Sequence, residues 1–301
     1  MTTAFPLLRL PYLVLMPILK QMDFFERIAL SIFSRRARIF LKLLQKKSKR
    51  ITLKLKYGTI EMKVLLDNWE ELKLELYPSG YVKLRYGQDV FLWNTKGVPP
   101  MDYAVSIMDV MHCKSIYQFK IAEISQCDIL PLLVNLPKID SVVVYSDLTD
   151  VCPVESRLQK ILRIVLPVSS GVTICHHFQN LKYLREILKG SFDVVTMENY
   201  WDMSLPYYDP PIRKVKFSLN DLRMANAKTL ELYNVILNAE DMNRFFKLWM
   251  KKNWNPRLEY LEVRINGNIN KDLLLKGLKT VPVPVETMRT FQVLGNVKQP
   301  G

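Results

Sequence analysis

Between residues 51 and 86 apolar and polar side chains alternate with a period of two, and that alternation restricts the chain more than any other feature. Ile51, Leu53, Leu55 and Tyr57 are interleaved with Thr52, Lys54 and Lys56. Leu72, Leu74 and Leu76 are interleaved with Lys73 and Glu75, and Val82, Leu84 and Tyr86 with Lys83 and Arg85. Successive side chains of a strand point to opposite faces, so these runs describe strands with one buried and one solvated face. Turn signals separate them at Tyr57-Gly58 and Pro78-Ser79-Gly80. The expectation is an antiparallel β-meander over residues 51–95.

Upstream the period is helical. Leu15, Ile18, Leu19 and Met22 fall at i, i+3, i+4 and i+7, on one face of a helix. Pro17 is tolerated in a first turn, which places the start of that helix near Val14 or Leu15. Asp23 then caps or turns, and Phe24 to Phe33 restarts the pattern with Ile28, Leu30 and Ile32. A third helix, Arg35 to Lys46, is expected to carry Ile39, Phe40, Leu43 and Leu44 on its apolar side. Residues 1–50 thus read as a helical bundle too small to stand alone.

Beyond residue 96 strands alternate with helices. The expected strands are Ser141–Tyr145, Val172–Cys175, Asp193–Met197, Lys214–Phe217, Thr229–Tyr233, Tyr260–Arg264 and Thr290–Leu294. The expected helices are Glu155–Leu166, His177–Leu188, Ala239–Lys251 and Asn270–Leu278. The strands opening at 229, 260 and 290 recur at a nearly constant interval, as in a parallel sheet lined by helices. The fold class is α+β: a helical bundle, a meander, and a leucine-rich-repeat-like α/β domain over residues 96–301.

Composition removes several function classes. With 301 residues, 49% of them hydrophobic, the chain can bury a full core. It has only 10 glycines and no Gly-rich phosphate loop, so no nucleotide cofactor is expected. Cys113, Cys127, Cys152 and Cys175 form no CxxC pair and are read as reduced thiols of an intracellular protein. The apolar run Leu10–Leu19 is broken by Pro11 and Pro17, and the uncharged stretch Ile164–Leu181 is too polar for a bilayer. Neither a leader nor a membrane partner is expected.

The net charge of +14 is concentrated between Glu26 and Glu61, where no acidic residue occurs. Residues 27–56 can attract nucleic acid through counterion release, but charge without base-reading chemistry favours a solvated basic face, so nucleic acid is not the expected partner.

The N-terminal residues also carry a resemblance. Leu10-Pro11, Leu15, Ile18-Leu19, Met22, Glu26, Ile28, Leu30-Ser31 and Ser34-Arg35-Arg36 follow the order of an F-box. Two departures stand out: Leu13 occupies a position that is acidic in many F-boxes, and no Trp follows the basic end. Phe5-Pro6-Leu7-Leu8-Arg9-Leu10-Pro11 is similar to the F-box of a large nematode family. Thr229–Leu232, Ala239–Met250 and Asn255–Leu261, with their Asn-Arg-Phe, Lys-x-Trp and Arg-Leu-Glu-Tyr-Leu elements, resemble that family's type 2 F-box-associated domain.

The resemblance implies a substrate receptor of an SCF-type ubiquitin ligase located in cytoplasm or nucleus, the alternative being an F-box scaffold that binds its linker and recruits nothing for degradation. The F-box would hold a Skp-type linker, and through it a cullin scaffold, while the rest of the chain holds an unidentified protein substrate. Leu10, Pro11, Leu15, Ile18, Leu19, Ile28 and Leu30 are the candidate linker-binding residues; some of them must face the bundle's own core. Catalysis would then be proximity, with no enzyme activity, cofactor or metal in the chain itself.

Other motifs read as structural. Cys175-His176-His177 lacks a second ligand cluster, and His112-Cys113 lacks an orienting third group. Asp147, Asp150 and Glu155 suit turns and caps, Asp150 preceding a helix at Val154. Trp249 shares a helical stripe with Met242, Phe245 and Phe246, which favours packing over binding for it and for Trp254. The aromatic, Pro-rich segment from Met197 to Pro211 is the candidate for touching substrate.

Overall fold

A computed structural model describes residues 9–43, 48–95, 97–124, 127–145, 154–175, 178, 180–198, 217–233, 235, 237–251, 254–264, 270–279, 291–293 and 296–298. The fold is mixed α/β, with a helical N-terminal region followed by an extensive sheet. The chain divides into two compact units, one of residues 1–142 and 151–169, the other of residues 143–150 and 170–301.

The first unit opens with three helices, α1 (Tyr12–Gln21), α2 (Phe24–Phe33) and α3 (Arg35–Lys42). The Pro11 carbonyl accepts the N–H groups of Val14 and Leu15 (3.1 and 3.0 Å), so α1 starts earlier than expected and Pro17 lies inside it. Pro17 is tolerated there because it sits on the exposed side, where the carbonyl it leaves unpaired meets water. Asp23 caps α2 through a reciprocal box: its Oδ1 accepts the Glu26 N–H (2.7 Å), and Glu26 Oε2 accepts the Asp23 N–H (3.3 Å). Ser34 caps α3 by accepting the Ala37 N–H at 3.2 Å.

The expected apolar side of α3 is corrected. Ala37 and Leu41 are buried, whereas Ile39 is 62% exposed and Leu43 is exposed too. Ala37 and Leu41 are one turn apart, and Ile39, two residues from either, projects the other way. Leu44 lies outside the described residues.

The alternating runs form strands β1 (Ser48–Lys56), β2 (Thr59–Leu66), β3 (Glu71–Leu76), β4 (Tyr81–Tyr86) and β5 (Asp89–Asn94), each antiparallel to the next. Ile51, Leu53, Leu55, Leu72, Leu74, Leu76, Val82 and Leu84 are buried. Tyr57 leaves the pattern because it is a turn residue: Tyr57 (φ 50°) and Gly58 (φ 79°) both take the left-handed conformation that a two-residue hairpin requires. On its other edge β1 pairs in parallel with β6 (Ile116–Ile121), so the meander continues into the strands that follow. Helix α4 (Pro100–Val110) packs against β3 and buries Met101, Ala104, Ile107 and Met108. The strand order runs from β7 (Ile139–Val144) through β6, β1, β2, β3 and β4 to β5 at the outer edge. Helix α5 (Val154–Val165) adds Leu158, Ile161, Leu162 and Val165 to the core.

The second unit contains β8 (Ser169–Ile174), α6 (Leu181–Leu188), β9 (Phe192–Met197), α7 (Leu219–Met224), β10 (Ala227–Tyr233), α8 (Ala239–Met250), β11 (Tyr260–Arg264) and α9 (Lys271–Leu275). Strands β8, β9, β10 and β11 are parallel neighbours in that order. The expected strand at Thr290–Leu294 is not a further rung. Its counterpart β12 (Phe291–Val293) pairs antiparallel with β13 (Asn296–Lys298) in a separate hairpin. Closing a tight hairpin orders far less chain than a helical crossover does. Residues 214–216 of the expected strand at Lys214–Phe217 lie outside the described residues.

Candidate functional site

The three N-terminal helices divide their apolar residues between a core and an outer surface. Leu15, Leu19 and Ile28, three of the seven candidate linker-binding residues, are buried. Leu10, Ile18 and Leu30 are half-buried and Pro11 is exposed. The structure therefore buries three of the seven and leaves the other four at least partly accessible to solvent.

The outermost apolar residues are ones the sequence reading did not select. Tyr12, Leu13 and Val14 in the first turn of α1 are exposed, Leu13 at 81%. The Tyr12 ring lies 5.7 Å from that of Phe40 on α3, and the Arg36 guanidinium stands 5.8 Å over Phe40 while donating to the Leu10 carbonyl at 3.2 Å. These contacts hold the first turn of α1 beside α3, whose Ile39 and Leu43 also face solvent. Contiguous exposed apolar side chains are a general mark of interaction surfaces. The available signal was helical phase: Leu13 lies off the stripe of Leu15 and Leu19, and Ile39 off that of Ala37 and Leu41.

The bundle is anchored to α4. Lys42 Nζ pairs with Asp109 Oδ1 at 2.5 Å, and His112 Nε2 bonds the Lys42 carbonyl at 3.0 Å. Cys113 Sγ is 2.8 Å from Ser48 Oγ. The His112-Cys113 pair is thus occupied by tethering contacts.

In the second unit the sequence motif of α8 and the loop after it forms a scaffold. Asn243 Nδ2 donates to the carbonyls of Leu274 and Lys276 (2.7 and 3.0 Å), and Trp249 Nε1 to that of Leu258 (3.1 Å). Asn255 Nδ2 donates to the Leu222 carbonyl at 2.5 Å, and Arg257 to Ser191 and the Asn226 carbonyl. Through these bonds the motif side chains tie α8 and the loop after it to neighbouring loops and helix ends. Phe245 is fully buried beside Trp249, and the Arg223 guanidinium covers Trp254 at 5.4 Å. Asp221 belongs to the same framework: it accepts from Arg185 at 2.9 Å and forms a capping box with Ser218.

Burial pushes the Cys175 thiol up to about 12, with Glu198 adding to the shift, so the neutral thiol dominates at physiological pH. His176, His177, Asp147 and Asp150 lie outside the described residues, as do residues 199–211 of the aromatic segment. Among the described residues no group of three or more His, Cys, Asp or Glu is placed to hold a metal ion, and no helix is long and apolar enough to cross a membrane.

Fold and surface together define a small helical bundle with exposed apolar side chains ahead of an α/β region. Comparison with protein families specifies it further: residues 7–49 match the F-box domain, and residues 183–263 match the F-box associated domain. The chain carries an F-box on α1–α3 and an F-box associated domain from α6 to β11, the domain combination of an F-box substrate adaptor. The second match begins well upstream of residue 228, where the recognisable sequence motif starts. No curated protein and no solved structure matched.

Proposed function

We propose that this chain is the substrate-receptor subunit of an SCF-type cullin-RING ubiquitin ligase. Helices α1–α3 bind a Skp-type linker that docks the chain on a cullin scaffold, and the sheet-bearing remainder holds a protein substrate. The supporting observation is the F-box match falling on helices that keep Leu13 and Ile39 in solvent. In this reading Leu10, Pro11, Ile18 and Leu30 join the contact surface, and Leu15, Leu19 and Ile28 act by holding the helices in place. The chain itself performs no bond chemistry and needs no cofactor; it raises the local concentration of substrate lysines near a charged conjugating enzyme. Cytoplasm or nucleus is the corresponding location. The parallel series β8–β11, each strand followed by a helix, supports a leucine-rich-repeat-like platform for substrate.

The test is a pull-down of the full chain by purified Skp-type linker. Wild type is expected to bind, and Leu13→Ala/Ile39→Ala and Leu10→Ala/Pro11→Ala/Ile18→Ala are expected to lose at least about tenfold in affinity. A folded wild-type chain that ignores the linker overturns the reading.

A further inference from the structure

Strand β5 ends the sheet, and its composition is unusual for an edge. Natural edge strands are protected by charge, proline, a bulge or shortness, because their unpaired N–H and C=O groups recruit another strand. β5 pairs with β4 along its whole length, from Tyr81↔Asn94 to Tyr86↔Asp89, and among the described residues no strand pairs with its other side. Its centre is Val90-Phe91-Leu92-Trp93, with Val90 53%, Phe91 40% and Leu92 59% exposed.

The two faces beside this edge differ. Register places Val90 opposite Arg85 and Leu92 opposite Lys83, so these two apolar residues stand on the basic, solvated face. Arg85 pairs with Glu75 at 3.3 Å, whereas Lys83 makes no ion pair among the described residues. Phe91 and Trp93 stand on the other face, where the Phe33 ring is 6.0 and 5.3 Å away and Phe33 is itself more than half exposed. An extended segment laid along β5 would therefore meet cations on one side and exposed aromatic rings on the other.

We propose that β5 captures an extended peptide as an added strand, its alternate side chains acidic toward Lys83 and Arg85 and apolar toward Phe33 and Phe91. Main-chain hydrogen bonds supply the affinity, and the alternation supplies the selectivity. Charge favours this occupant over a second copy of the chain, which brings a net +14 and its own Lys83 and Arg85 to the same edge. Nucleic acid has no strand edge to offer. Only the assignment of the peptide to a substrate rests on the receptor reading.

The experiment uses the full chain and a fluorescein-labelled ten-residue peptide alternating Glu with Val or Phe, read by fluorescence anisotropy. Saturable binding is expected, weakened at least about tenfold when alternate backbone amides of the peptide are methylated or when Glu is replaced by Lys. Val90→Lys/Leu92→Lys and Lys83→Glu are expected to weaken it comparably while circular dichroism and linker pull-down stay at wild-type level. Because the methylated peptide is tested on wild type, an unfolded variant does not blunt the result. Equal binding of methylated or Lys peptides overturns the proposal, as does equal competition by duplex DNA. A wild-type dimer in light scattering that Val90→Lys/Leu92→Lys converts to monomer also overturns it in favour of self-pairing. Loss of linker binding with peptide binding intact would count against the receptor reading alone.

Discussion

Leu13 and Leu19 lie on the same short helix and have opposite fates, because six positions of helical rotation separate solvent from core. Leu19 is fully buried, so Leu19→Ala is expected to destabilise the chain by about 2–5 kcal/mol, the range for a leucine truncated in a packed interior. Leu13→Ala removes a side chain already in water and is expected to move stability by less than about 0.5 kcal/mol. Urea denaturation of the two variants checks the contrast. Cys175 provides a second residue-level prediction. Its thiol is held neutral by burial, so any stability this gives is complete below the ordinary cysteine pKa and is lost as pH rises toward about 12. At pH 8 Cys175 is expected to resist iodoacetamide until denaturant is added, with labelling read by peptide mass spectrometry. Rapid labelling of native Cys175 would contradict the packing around it.

At the scale of elements, packing decides details that periodicity leaves open. Gly190 follows α6, and a Cβ placed there would stand 2.4 Å from the Phe192 ring and 3.0 Å from the Ile187 carbonyl. Phe192 opens β9 and is buried, so its ring has little room to yield. Gly190→Ala is expected to cost about 1–3 kcal/mol and to lower the melting temperature, although this glycine needs no left-handed backbone. The meander shows how much an element reveals about itself. Ile51, Leu53 and Leu55 announced β1 by alternation alone, and Tyr57-Gly58 announced its turn. The β5 edge, by contrast, reads as four apolar residues in a row, a pattern equally suited to a strand buried on both faces. Only its terminal place in the strand order exposes it.

At the scale of the whole molecule the basic excess and the sheet register meet. Lys63, Lys73 and Arg85 lie directly opposite one another across β2, β3 and β4, and each has a carboxylate at 3.3–3.4 Å, from Glu61, Glu71 and Glu75 respectively. Those carboxylates repel phosphate from the same face. Any retention on duplex DNA is therefore expected to be independent of sequence and to fall by about 100-fold or more between 50 and 200 mM salt. A sequence-preferring complex that survives high salt in an electrophoretic mobility assay would return the basic segment to consideration as a nucleic-acid site.

What the amino-acid order determined by itself is local: the helical phase of α2, with its Asp23–Glu26 box, the alternation of the meander, and the two motif sets that the F-box and F-box associated matches later covered. These depend on neighbours within a few residues, and the sequence contains those neighbours. Tertiary structure alone decided that the motif residues Asn243, Trp249 and Arg257 serve as tethers, and that β1 joins β6. It also decided that the strand near residue 290 closes a hairpin of its own. Each of these depends on partners tens of residues away, whose arrangement is set by the joint burial of many side chains rather than by any one segment's preference.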